Sequence, residues 1–96
     1  MEGGDGVVEV TLSGELDLAA APSVRDILNR AVGSGVGTVR VDVSAVTFLD
    51  STGLNVLVDA WRQARGLGVS FVLTAPPANV RRVFDITNLG ALLDGN

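Results

Sequence analysis

The chain contains no cysteine, no histidine, no lysine and no tyrosine, and its aromatic residues are three phenylalanines and one tryptophan. Without cysteine or histidine it cannot form a structural zinc site, a disulfide, a redox pair or a histidine-based or thiol-based catalytic triad. Most catalytic chemistries of small proteins are therefore excluded. The missing cysteine also means that redox chemistry gives no indication of the cellular compartment.

Basic charge is scarce as well. The chain has seven arginines and 11 acidic residues, which gives a formal net charge of −4. DNA, RNA and anionic membranes select proteins with a basic surface, so the charge balance favours a protein partner and predicts no nucleic-acid or membrane binding. No run reaches the roughly 20 apolar residues that span a bilayer, and residues 1–6 lack the basic and apolar regions of a signal peptide. We therefore expect a cytoplasmic protein.

The apolar fraction of 47% is typical of a folded domain, and 96 residues are enough for one domain, which we place at 1–96. Apolar and polar residues alternate in 7–13 and 39–43, a pattern that predicts two half-buried strands, and 69–73 is a short apolar strand. Their order with three helical segments predicts an α/β fold with a small, mostly parallel β-sheet. Polar residues on one side of the first two strands predict helices mainly on one face.

Three helices are predicted from the spacing of apolar residues and from the prolines and glycines that flank them. The first follows Pro22 and ends at Gly33, and the second begins near Ser51 and ends at Gly66 or Gly68. The third follows Pro76 and Pro77. Their expected core faces contain Val24, Ile27, Leu28 and Ala31 in the first helix, Leu54, Leu57, Val58 and Trp61 in the second, and Val80, Val83, Phe84 and Thr87 in the third.

Loops at the carboxyl ends of parallel strands gather at one edge of a sheet, where sites are commonly built. We expect these loops at 14–21, 44–51 and 74–77. They would bring Asp17, Asp50 and Ser51 to the same edge. Asp17 is open to a second interpretation, as a simple turn residue before the first helix.

The segment 50–53, Asp-Ser-Thr-Gly, allows several interpretations. The first is an N-cap of the second helix, although one polar residue suffices for capping. If Ser51 were a nucleophile, it would need a base, and the chain offers only carboxylates for that role. If Asp50 were a phospho-acceptor, it would need a cluster of acidic metal ligands. Ser51 as the substrate of a kinase needs neither. Gly53 is unfavourable in a helix, which indicates a close backbone approach.

Residues 14–17 (GELD), 42–54 (DVSAVTFLDSTGL) and 80–89 (VRRVFDITNL), in this order, resemble the STAS domain family, and specifically its bacterial anti-sigma-factor antagonists. The resemblance covers nearly the whole chain and implies the STAS fold. It also implies a binding module that is not an enzyme and uses no cofactor and no metal. In its unphosphorylated form such a module binds an anti-sigma factor that is also a serine kinase, which frees a sigma factor for transcription.

Carried over by position, the resemblance implies phosphorylation at Ser51, with Thr52 as a secondary acceptor, and a serine phosphatase that reverses it. It implies a partner-binding surface that consists of Asp17, Asp50, Ser51, Thr52, Gly53 and Asn55. An exposed sheet edge raises the further hypothesis of a homodimer. The alternative from another class is a STAS module that senses a nucleotide or small anion at the same helix N-terminus.

Overall fold

Three strands alternate with three helices along the chain, and the computed structural model describes residues 6–89. In chain order the elements are β1 (Val7–Leu16), α1 (Ala21–Val32), β2 (Thr38–Leu49), α2 (Ser51–Gly66), β3 (Ser70–Thr74) and α3 (Ala78–Ile86). The strands form one parallel sheet in the order β1-β2-β3. The prediction of an α/β fold with a parallel sheet is confirmed.

Helices cover one side of this sheet. Val39 and Val41 of β2 are fully buried, and they belong to one apolar cluster that includes side chains of all three helices. Glu9, Thr11 and Arg40 point to the other side and are exposed. The alternation in the sequence therefore marks the two faces of the sheet, as predicted.

The core side of α1 is narrower than its sequence pattern predicted. Val24, Leu28 and Ala31 are buried there, whereas Ile27 is 44% exposed. An α-helix advances about 100° per residue, so Ile27 lies at the margin of the buried stripe. Leu28 of α1 and Leu57 of α2 are fully buried.

The predicted ends of the first two strands were wrong. β1 continues through Gly14 to Leu16 and β2 continues to Leu49, so most of 14–21 and 44–51 is strand and not loop. The pairing between β1 and β2 shifts register twice, between Thr11 and Ser13 and between Gly14 and Glu15. At each shift β2 carries one extra residue, which is a β-bulge.

The remaining differences are small. The third strand lies one residue later than expected, at 70–74, and the loop 75–77 follows it. Thr87 was predicted on the core face of the third helix, but α3 ends at Ile86 and Thr87 is exposed. Its hydroxyl donates to the carbonyl oxygen of Val83 at 2.7 Å, so Thr87 closes the helix instead of packing in the core.

Candidate functional site

The carboxyl ends of β1 and β2 meet at one edge of the sheet. Leu16 and Leu49, the last residues of the two strands, are register partners. Immediately beyond them the backbone N–H of Asp50 donates to the carbonyl oxygen of Leu16 at 3.3 Å. Asp17 and Asp50 therefore leave neighbouring strands at the same edge, as the sequence predicted, even though the strands end later than expected.

Asp50 is the N-cap of α2. Its backbone is extended, with φ −102° and ψ −176°, and its Oδ1 accepts a hydrogen bond from the N–H of Gly53 at 2.9 Å. Its carbonyl oxygen accepts the first helical bond, from Leu54, at 2.9 Å. The capping interpretation of the segment is confirmed for Asp50. Capping therefore requires neither the Ser51 hydroxyl nor the Thr52 hydroxyl.

Ser51 is the first residue of α2 and is exposed. Within residues 6–89 its hydroxyl makes no hydrogen bond, and the backbone N–H groups of Ser51 and Thr52 have no acceptor. These N–H groups carry the positive end of the helix dipole. The arrangement presents an accessible hydroxyl beside donors that favour a negative charge.

Gly53 allows this helix start to approach β1. Its position is buried, and a Cβ there would lie 2.8 Å from the carbonyl carbon of Leu16 and closer still to its oxygen. No other residue type fits without movement of the backbone. The close approach that the sequence indicated for Gly53 is present, and it joins the start of α2 to the end of β1.

Thr52 and Asn55 differ in accessibility. Thr52 is half-buried, whereas Asn55 is exposed. Asn55 follows Ser51 by four residues, so the two lie one above the other on the same face of α2. The structure thus places Ser51 and Asn55 on one accessible surface, with Thr52 beside it.

Asp17 has a defined local contact. Its Oδ1 accepts a hydrogen bond from the backbone N–H of Ala20 at 3.1 Å, and its carbonyl oxygen accepts from Ala20 and Ala21 at 3.1 and 3.0 Å. The interpretation of Asp17 as a turn residue before α1 is confirmed. Its contact with a partner remains a prediction.

Sequence reasoning missed a groove next to this edge. The groove lies between the 17–20 turn, α1 and the start of α2, and is lined by Leu18, Ala21, Pro22, Arg25, Asp26, Asn29 and Thr52. Leu18 is 74% exposed. In the sequence Leu18 continues the even-numbered series of apolar residues that includes the buried Leu12 and Leu16. The sequence pattern alone therefore does not show that Leu18 is exposed.

Charged groups beside the groove are paired within the chain. Arg25 Nη1 lies 3.2 Å from Asp59 Oδ2 on α2, and Arg30 Nε lies 3.3 Å from Asp26 Oδ2. Both pairs are exposed, so each contributes at most about 1 kcal/mol to stability. The groove lining itself contains one arginine, Arg25, and one carboxylate, Asp26, so its formal charges cancel.

The bulge of β2 contains a carboxyl group with a shifted pKa. The backbone N–H of Ser44 donates to Asp42 Oδ1 at 2.8 Å, and this bond, with a contribution from the Ser44 side chain, lowers the pKa of Asp42. A carboxylate that accepts hydrogen bonds is favoured in its charged form. Asp42 therefore stabilises the bulge as an anion.

Within residues 6–89, no group of three or more carboxylates is placed to hold a metal ion. In the same part of the chain, no helix has the length and apolar character required to cross a membrane.

Comparison with known proteins decides the family. Residues 1–94 match the STAS domain. The chain belongs to the STAS domain family. The anti-sigma-B factor antagonist of Bacillus subtilis is 32% identical over 87 residues, which cover 91% of this chain and 79% of that relative.

Two solved structures extend the similarity to three dimensions. The anti-sigma factor antagonist SpoIIAA in its unphosphorylated form superposes with a TM-score of 0.78 at 27% identity, covering 91% of this chain and 76% of that one. The Bacillus cell fate determinant SpoIIAA in the phosphorylated form superposes with a TM-score of 0.72 at 26% identity, covering 91% of this chain and 79% of that one. The STAS fold predicted from the sequence is confirmed.

Proposed function

We propose that this chain is an anti-sigma-factor antagonist, a protein-binding module that is switched by phosphorylation of Ser51. The observation that carries the proposal is the division of roles at the start of α2. Asp50 caps the helix, and the exposed Ser51 hydroxyl makes no hydrogen bond within residues 6–89. The family and the names of the relatives support the same function.

The partner is an anti-sigma factor that also acts as a serine kinase. In its unphosphorylated form the chain binds this protein and so frees a sigma factor for transcription. The kinase transfers the γ-phosphoryl group of ATP to Ser51 Oγ, releases ADP and accepts the hydroxyl proton on a base of its own. One of the solved relatives, the Bacillus cell fate determinant SpoIIAA, is in its phosphorylated form, which supports such a modification in this family.

The fold can carry the added charge. A phosphoserine bears about −1.5 to −2 charges at neutral pH. At Ser51 this charge lies beside free N–H groups and at the positive end of the α2 dipole, both of which favour an anion. A partner that packs on the same surface would meet new bulk and charge next to Asp50. Phosphorylation therefore opposes binding without unfolding the domain, and a serine phosphatase restores the binding form.

The proposed contact surface consists of Asp17, Asp50, Ser51, Thr52, Gly53 and Asn55. Gly53 contributes by shape, because it is buried and sets the position of the others. We assign no catalysis to this surface, since the chain has no histidine, lysine or cysteine that could activate the Ser51 hydroxyl. The proposal includes a single STAS domain over residues 1–96 that acts in the cytoplasm.

Self-association is a separate part of the proposal. Among residues 6–89, β1 pairs with β2 on one side only, so its other edge offers unpaired backbone groups. Such an edge can pair with a second copy. Sedimentation over a range of concentrations should show a dimer, and a constant monomer mass would eliminate it.

Phosphosite mapping tests the proposal. The purified chain is incubated with ATP and each candidate anti-sigma kinase from the same genome, and mass spectrometry locates the phosphate. We expect one phosphate on Ser51 in the wild type and in Thr52→Val, and none in Ser51→Ala. Phosphate on Thr52 alone would overturn the assignment of Ser51. If no kinase modifies or binds the chain and a nucleotide alone raises its Tm, the nucleotide-sensing or anion-sensing alternative is the better account.

A further inference from the structure

Leu18 is an unusual residue for the place that it occupies. It lies in the short turn between β1 and α1, and 74% of its surface is exposed. The turn does not need an apolar side chain, because Asp17 holds it by accepting the Ala20 amide. Exposing a leucine to water has a free-energy cost that burial in a complex would remove.

The surroundings of Leu18 are those of a contact surface. Ala21 and Pro22 give the groove beside it an apolar wall, and Thr52 joins this groove to the α2 start that carries Ser51. The rim is charged but internally paired, through Arg25 with Asp59 and Arg30 with Asp26. An apolar centre with a polar, electrostatically balanced rim is the usual composition of a protein–protein contact.

We propose that Leu18 is the apolar anchor by which the anti-sigma kinase holds this chain, and that the Leu18 groove, lined by Leu18, Ala21, Pro22, Arg25, Asp26, Asn29 and Thr52, lies inside that interface. This inference rests on the proposed function. A kinase that reaches Ser51 Oγ must cover the neighbouring Thr52, which is part of the groove. The kinase surface opposite Leu18 is therefore an apolar pocket and not an acidic or basic patch.

Leu18 would act on binding and not on the phosphoryl transfer itself. It lies on a different element from Ser51 and has no role in capping α2. Its removal should raise Kd and the KM for phosphorylation, with kcat nearly unchanged. This split separates an anchor from a residue that positions the Ser51 hydroxyl.

The test compares Leu18→Asp with Leu67→Asp. Leu67 is a matched control, because it is also an exposed leucine, at 48%, and lies just beyond the opposite end of α2 from Ser51. The 16 residues of α2 separate the two ends by about 24 Å. Calorimetry with the unphosphorylated chain and the kinase measures Kd, and circular dichroism confirms that both variants are folded.

We expect Leu18→Asp to raise Kd by about tenfold or more, as for a central interface residue, and Leu67→Asp to change it by less than about twofold. Equal Kd values for Leu18→Asp and the wild type would overturn the anchor while leaving the proposed function intact. Equal losses in both variants would also overturn it, since the effect would then not be local. A wild type that neither binds a kinase nor receives phosphate on Ser51 would remove the proposed function, and the anchor with it.

Discussion

At the scale of single residues, capping of α2 and the proposed phosphorylation belong to two different side chains. Asp50 accepts the Gly53 amide and caps the helix, whereas Ser51 is exposed and is not used for capping. Gly53 contributes space, because any Cβ would collide with Leu16. Modification of Ser51 therefore need not weaken the local structure that presents it.

The cap can be tested by replacing Asp50. Asp50→Ala should lower the free energy of unfolding by about 1 kcal/mol, because the Gly53 N–H loses its acceptor. Asp50→Asn retains an acceptor oxygen and should lose less. Urea denaturation of both variants gives the comparison. An alanine variant as stable as the wild type would show that this cap does not stabilise the fold.

The close approach at Gly53 is tested by a pair of glycine substitutions in one helix. Gly53→Ala should lower the free energy of unfolding by about 1 to 3 kcal/mol, since the added methyl group meets the Leu16 backbone. Gly66→Ala is the control, because a Cβ there has no heavy atom within 4 Å. The higher helix propensity of alanine should leave Gly66→Ala unchanged or stabilise it by up to about 1 kcal/mol. Equal effects at the two positions would contradict the account.

At the scale of elements, the order of strands and helices could be read from the sequence, but the ends of β1 and β2 could not. Val39, Val41 and Val43 are buried at the spacing of a regular strand, whereas the next buried residues, Val46 and Leu49, are each three positions further on. That spacing suggests a loop. It arises from the two β-bulges, which depend on pairing with β1, a tertiary contact that local patterns do not record.

The candidate site shows the same division between local and tertiary information. The residue types and order of 50–53 predicted both a cap and a close approach, because each depends on local chemistry. Ile27 in α1 and Leu18 in the turn before it are exposed, and exposure is set by tertiary packing. The residue type alone does not show whether an apolar side chain will be buried in the fold.

The bulge in β2 has a pH dependence that can be measured. The Ser44 contacts lower the pKa of Asp42 in the folded state, so its contribution to stability is present above the unfolded pKa of about 4 and is lost as pH falls through the lower folded pKa. An NMR titration should find the Asp42 carboxyl below that value. Ser44→Ala removes the side-chain contribution and should move the pKa upward. An Asp42 pKa at or above about 4 in the wild type would contradict the assigned cause.

At the scale of the whole molecule, one side of the sheet is covered by helices, and the edge at the carboxyl ends of β1 and β2 presents Ser51, Asn55 and Leu18. Stability depends on the buried cluster, and the proposed binding depends on the exposed edge. A change of charge at this edge should therefore alter affinity without altering the fold.

Ser51→Asp separates these two properties. The negative charge at the first position of α2 should leave stability unchanged or raise it by up to about 1 kcal/mol, because it faces the positive end of the helix dipole. The same charge should weaken binding to the anti-sigma kinase by about tenfold or more. Thermal unfolding and calorimetry measure the two effects on one sample. If Ser51→Asp bound less tightly only because it was unfolded, the result would contradict the electrostatic switch.

The most direct test of the account is the affinity of one preparation of the chain for its anti-sigma kinase before and after stoichiometric phosphorylation of Ser51. We predict tight binding before modification, at least about tenfold weaker binding afterwards, and recovery when a phosphatase removes the phosphate. Unchanged affinity with Ser51 fully phosphorylated would contradict the central claim that this hydroxyl is the switch.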